Sequence, residues 1–195
     1  MMSEQLTIRR ATREDAAFVA RMVMMALHSE ENPDILAIMT NVCKLDDTLY
    51  SWRHALVAEA EGQPAGLCLC YDGAGYSAMR ARTFAFFPQA DDGLDLENME
   101  DETCAGEYYV DSLAVLPAFR QRGIARQLLE AQVAAGLSQH LIPTLLVDPD
   151  NPPALRLYRS VGFTYLCDTY AFGQTYWKMH WQSEIVSFRP RSNDR

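Results

Sequence analysis

The sequence predicts one mixed domain of class α/β (α+β), and three observations carry that reading. Short alternating or apolar runs interleave with segments whose apolar residues recur at helical spacing, the pattern of a sheet flanked by helices. At 195 residues the chain is long for one domain and short for two. About half of it (49%) is apolar, enough to bury a sizeable core without disulfides or metal.

Taken in order, Leu6–Arg10 alternates and opens as a strand. Thr12 followed by Asp15 has the form of a helix start, and Phe18, Val19, Met22, Met25 and Ala26 continue it to about Leu27. Glu30–Pro33 interrupts, and Asp34 is placed as the cap of a second helix carrying Ile35, Ile38 and Met39. Residues 44–54 fit neither template. Ala55–Ala60, the turn at Gly62–Pro64 and Ala65–Tyr71 form an antiparallel hairpin, closing an N-terminal half at 6–71. Residues 72–105 form a long connection, either functional or disordered. A second half, 106–182, opens with a strand at Glu107–Val115 and a helix from Gly123 to about Gln139. A short apolar strand at Leu145–Val147 follows, then a helix from Asn151 that stops at Gly162. Strands at Phe163–Tyr170 and Tyr176–Trp181 complete the single domain, 1–195.

Composition excludes several functions. The net charge is −9 and only Lys44 and Lys178 are lysines, a poor basis for neutralising phosphates, so no nucleic-acid partner is expected. No apolar run reaches membrane-spanning length, and the polar start has no signal-peptide pattern. The five scattered cysteines read as buried thiols of a reducing compartment, with Cys68 and Cys70 on one strand face, so a cytoplasmic location is expected. His28, His54, His140 and His180 have no metal-ligand spacing, and no metal is expected. Residues 91–102 hold seven carboxylates and no base, which makes either a solvated loop or a negative rim that attracts a cationic amine.

The segment with chemical content runs from strand through Leu116–Ala125 into a helix. Gly123 lets a ligand approach the backbone, and the small Ala125 leaves room at the first turn. The first amides of a helix have no intrahelical acceptor, and the macrodipole favours anions there by about 0.3–2 kcal/mol. Arg120, Arg122 and Arg126 cluster around the same turn, beside Gln121 and Ile124. No Gly-Lys-Ser/Thr follows, so this is not a Walker loop, and the GxGxxG glycines are missing. Asn151 begins 28 residues after Gly123; on a helix Asn151, Ala154 and Tyr158 share a face that could line an elongated ligand.

Arg120-x-x-Gly123-x-Ala125 is similar to the acetyl-CoA pyrophosphate motif of the GNAT N-acetyltransferase superfamily. Asn151-x-x-Ala154-x-x-Leu157-Tyr158-x-x-x-Gly162-Phe163 resembles that family's second signature, in the same order and context. The resemblance implies a mostly antiparallel sheet of about seven strands, splayed between the strands ending near Val115 and Val147. It implies acetyl-CoA as cosubstrate, with pantetheine on Leu113, Ala114 and Val115, diphosphate on the amides of Gln121 through Arg126, and Asn151 as a pantetheine contact. The expected reaction is acetyl transfer to a primary amine, and the acidic stretch tilts the acceptor toward a small cationic molecule. A peptide N-terminus is the alternative acceptor, and a non-catalytic acyl-CoA-binding module the alternative class. Dimerisation is a habit of the family.

An alkyl ammonium with pKa near ~10.4 leaves about one molecule in ~10³ nucleophilic at pH 7, so a base near the thioester is useful. Period two places Glu107, Tyr109 and Asp111 on one strand face; Asp111 is the first candidate base and Glu107 the second. Tyr158 matches the family's tyrosine that protonates the departing thiolate. A backbone N–H near Leu113 is the candidate oxyanion donor.

Overall fold

The computed structural model describes residues 6–29, 32–87 and 100–183. Seven strands form one sheet: β1 (Thr7–Arg10), β2 (Ala55–Ala60), β3 (Gln63–Asp72), β4 (Glu107–Val115), β5 (Ile142–Val147), β6 (Phe163–Ala171) and β7 (Gln174–Trp181). Their order is β1-β2-β3-β4-β5-β7-β6, and every pairing is antiparallel except β4 with β5. Helices α1 (Ala16–Ala26), α2 (Pro33–Cys43) and α3 (Tyr76–Phe84) cover one face, and α4 (Ile124–Ser138) and α5 (Pro152–Val161) the other. The mixed, mostly antiparallel seven-stranded sheet anticipated from the sequence is therefore present.

Local chemistry explains where the elements begin. Asp15 accepts from the Thr12 backbone N–H at 2.7 Å and closes the entry to α1. The cap of α2 is Asn32, not Asp34: its Oδ1 accepts from the amides of Asp34 and Ile35, and Pro33 occupies the first turn, where its missing N–H costs nothing. Likewise Asn151 caps α5 through the Ala154 amide and lies outside the helix, which ends at Gly162 in the left-handed region. Helix α3 is the element missed in the sequence. It sits within the presumed 72–105 connection and buries Tyr76 and Thr83, with Met79 packed against the same core.

The sheet divides two apolar cores. Val19, Met22, Val23, Leu67, Leu69 and Tyr109 belong to the α1/α2/α3 side; Leu128, Leu129, Leu145, Phe163 and Met179 belong to the α4/α5 side. Gln132 of α4 stitches the second side to the sheet: its amide donates to the Cys68 carbonyl at 2.9 Å and its oxygen accepts from Tyr108 Oη at 3.0 Å. Glu107 ties three strands together at one end. Its Oε2 accepts from Lys178 Nζ of β7 (2.8 Å), Thr103 Oγ1 (2.8 Å) and Thr144 Oγ1 of β5 (3.3 Å).

Two stability predictions follow from this packing. A Cβ on Gly136 would lie 2.7 Å from the Tyr108 ring, so Gly136→Ala forces α4 off the sheet and should cost about 1–3 kcal/mol in urea unfolding. Lys178→Met strands the largely buried Glu107 carboxylate and should cost on the order of 3 kcal/mol at neutral pH. Because the Glu107 carboxyl is held below its ordinary range, that loss should shrink as pH falls and the acid protonates; a pH-independent loss would contradict the pairing. Burial pushes this carboxyl upward, but hydrogen bonds from Lys178 and Thr103 outweigh it.

Candidate active site

The site is built where two strands part. Parallel pairing of β4 with β5 runs from Glu107/Ile142 to Val110/Leu145 and then stops, while β4 continues beside β3 as far as Val115. Leu116 N–H donates to the Ala65 carbonyl, so the backbone of Ala114 faces β3 and that of Leu113 and Val115 turns into the gap. The Val115 carbonyl takes up such a position: it accepts from Arg120 Nε at 3.0 Å. Leu113, Ala114 and Val115 thus line a cleft in which the backbone of Leu113 and the Val115 N–H, turned away from β3, suit an amide-bearing chain.

A bulge at the mouth of the cleft re-aims the strand. Register shifts between Leu69/Ser112 and Cys70/Val110, leaving Asp111 as the extra residue. Tyr109 and Ala114, five residues apart, consequently lie on the same side of the sheet, while Tyr108, Val110 and Val115 lie on the other. The period-two expectation holds as far as Asp111 and changes phase after it.

Asp111 enters a cluster of acids and phenols. Its Oδ2 accepts from Tyr71 Oη at 2.6 Å and its Oδ1 from Ser112 Oγ at 2.8 Å. Burial, with the neighbouring Glu102 charge, pushes the Asp111 carboxyl up to about 7, against the downward pull of Tyr71 and Ser112. Glu107, the other candidate base, is instead committed to Lys178 at the closed end of the strand pair. Neither Tyr71 nor Glu102 was singled out from the sequence. Glu102 closes the acidic stretch but is 9% exposed, not a rim residue. Residues 91–99 of that stretch lie outside the described residues.

Past β4 the chain makes the turn that the sequence marked. Gln121 and Gly123 both adopt left-handed backbone, at φ 63° and 76°, ahead of α4. Alternation of this kind points successive N–H groups into one concavity. The amides of Gln121, Gly123, Ile124, Ala125 and Arg126 find no backbone acceptor among the described residues, and a Cβ built on Gly123 meets open space. These residues fit a diphosphate. The arginines brace the loop: Arg122 pairs with Glu61, and Arg126 pairs with Glu130 and donates to the Ser160 carbonyl of α5.

Tyr158 of α5 sits half-buried beside Ala154 on the α4/α5 side, its ring edge-on to Phe163 at 6.1 Å. Its hydroxyl makes no hydrogen bond among the described residues, and burial, with the Cys68 and Cys70 thiols, pushes its phenol well above the ordinary value. Cys70 feels Asp111 as well. The candidate base and the phenol thus approach the same strand pair from opposite faces. Asn151, expected to touch pantetheine, spends its side-chain oxygen on the α5 cap. A cavity of about 640 Å³ lies between the end of α1 and the start of α2, lined by Arg21, Met24, Met25, His28 and Leu36. Met25 also lies 3.9 Å from the Arg120 guanidinium. Among the described residues there is no cluster able to hold a metal and no helix long and apolar enough to cross a membrane.

Solved structures share this fold. An N-acetyltransferase from Staphylococcus aureus Mu50 is 25% identical with a TM-score of 0.75, over 89% of this chain and 99% of that one. A second solved acetyltransferase is 27% identical with a TM-score of 0.73, over 90% of this chain and 98% of its own. A Vibrio cholerae spermidine N-acetyltransferase chimera, at 19% identity, shares the fold with a TM-score of 0.55 over 91% of this chain and 95% of that one. No curated protein is a significant sequence match. The acetyltransferase (GNAT) family model matches residues 23–163, spanning the parted strands, the amide-lined turn and Tyr158. With well over half its length so matched, the chain belongs to the GNAT acetyltransferase family.

Proposed function

We propose that the protein transfers an acetyl group from acetyl-CoA to a primary amine by direct attack, with Asp111 as general base and Tyr158 as general acid. The observation that carries this reading is the unpaired half of β4, which joins the bulge at Asp111 to the unsatisfied amides before α4. Acetyl-CoA supplies the activated thioester carbon. The backbone of Leu113 and Val115 holds the pantetheine amides, and the amides of Gln121 through Arg126 hold the diphosphate.

Asp111 accepts the proton that the ammonium must lose, directly or through water. A carboxyl near 7 is matched to that task, whereas an ordinary carboxylate is too weak a base. The amine nitrogen then forms its bond to the thioester carbon, the Leu113 N–H stabilises the oxyanion, and the C–S bond breaks. Tyr158 keeps its proton until the thiolate departs, because its phenol is raised, and delivers it to sulfur; the proton that the nitrogen sheds on becoming an amide returns through water to the phenolate.

A small cationic acceptor is favoured by the carboxylates of Asp111 and Glu102, set among tyrosines beside the bulge. A peptide N-terminus is the second reading, favoured by the methionine-lined cavity between α1 and α2. Location in the cytoplasm and a homodimer remain part of the proposal.

Thiol release from acetyl-CoA should be measured with spermidine, a diamine, an amino sugar, free amino acids and a short peptide. Faster turnover with the polycations supports the first acceptor, and with the peptide the second; binding without turnover across the panel would make the protein a non-catalytic module. Tyr158→Phe should lower kcat by on the order of 10²-fold with little change in the acetyl-CoA KM; equal activity would exclude the acid role. Asp111→Asn should remove the acidic limb of the kcat profile near pH 7. Because the folded carboxyl lies above its unfolded value, wild-type stability should fall as pH rises from about 4 to 7, and this variant should lack that decline.

A further inference from the structure

Three acidic residues end the connection between α3 and β4, and they meet different fates. Asp101 pairs with Arg80 at 3.1 Å and accepts from Ser77 Oγ, while Glu100 accepts from the Tyr170 amide. Glu102 turns inward. Its Oε1 accepts from Tyr76 Oη and its Oε2 from Tyr109 Oη, both at 2.6 Å. Such lengths suit phenols donating to a carboxylate, and both Glu102 oxygens are engaged in this way. Tyr76 and Tyr109 are 1% and 2% exposed, and each ring contacts that of Tyr71 (6.4 and 5.8 Å), the phenol that donates to Asp111.

Two carboxylates are therefore lodged in one tyrosine cluster, Asp111 on the central Tyr71 and Glu102 on the two rings that flank it. A single buried carboxylate held by two phenols is a satisfied structural group, but a second one nearby makes the ionised form of its neighbour harder to reach. The other groups around the pair do little to offset this. From α3, the Arg80 guanidinium lies over the Tyr76 ring at 5.5 Å but is paired with Asp101. From the segment before β2, His54 rests on Tyr71 at 5.3 Å with its Nδ1 on the Leu49 carbonyl, and burial lowers its affinity for a proton. Tyr50 is buried in the same core and feels both acids, and Cys70 of β3 feels Asp111; burial keeps both neutral.

The geometry points to Glu102 as a positioning residue: held by Tyr76 and Tyr109, it keeps a fixed negative charge beside the Tyr71–Asp111 pair and so governs how readily Asp111 takes a proton from the amine. This rests on Asp111 being the base. It also gives the connection after α3 a part in the chemistry, through its last acid and through Tyr76 of the helix itself. No atom is transferred to or from Glu102; its effect is electrostatic, and Glu102→Gln removes the charge while keeping a group that accepts from a phenol.

The test is the pH profile of kcat for wild type, Glu102→Gln and Asp111→Asn, using acetyl-CoA and the fastest amine of the panel above. Glu102→Gln should move the acidic limb about one pH unit or more lower, while Asp111→Asn removes it. A limb unmoved in Glu102→Gln but lost in Asp111→Asn overturns the role of Glu102 and leaves the base in place. A limb kept in Asp111→Asn overturns both. Should Glu102→Gln fail to fold, or no amine turn over, carboxyl ¹³C shifts of the wild type decide. Asp111 should titrate near neutrality; a step near pH 4 would overturn the proposal.

Discussion

The ladder between β4 and β5 ends at Val110 and Leu145, and the rest of the site depends on that ending. A strand paired on both edges has no backbone to offer a ligand, whereas β4 beyond Val110 has β3 on one side and an open edge on the other. The bulge at Asp111 falls at the same point. It changes the phase of the side chains and directs the carboxylate into the tyrosine cluster. At the opposite, closed end, Glu107 accepts from groups on β5 and β7 and holds the three strands together. One strand is thus fastened at its start and released at its finish. Its two acids have different work because they lie on different sides of the release point.

Electrostatics divides along the same line. A net charge of −9 is unpromising for binding a diphosphate, and the nearby arginines are engaged by Glu61, Glu130 and main-chain carbonyls. The groups there that suit an anion are instead oriented amides, whose positive ends cost no reorganisation. Gln121 and Gly123 in the left-handed region create that orientation. On the other side of the cleft, burial and then the neighbouring Glu102 raise the proton affinity of Asp111.

The parts of the fold legible in the sequence were those set by local chemistry. The hairpin turn at Gly62, the end of α5 at Gly162, and the helical face of α4 each follow from residue type and spacing. The two motifs in register carried the family and the strand parting with it. Where the reading failed, a competing residue had an equally good local claim. Asp34 could cap, but Asn32 placed before Pro33 does so better. Helix α3 carries Tyr76, Met79 and Thr83 at helical spacing, yet Arg80 falls on that face and polar residues crowd the short helix. The Glu102–Tyr76–Tyr109 contacts had no sequence signal, because they join three elements through tertiary packing alone. Asn151 illustrates the converse: a residue marked by its motif proves to have a structural job as a helix cap.

Backbone amide chemical shifts during titration with desulfo-coenzyme A test the central claim most directly. If the open edge of β4 and the turn before α4 form one binding surface, the largest changes fall on Leu113, Val115, Gly123, Ile124 and Ala125. Changes confined to the α1–α2 cavity, or none at saturating ligand, would contradict it.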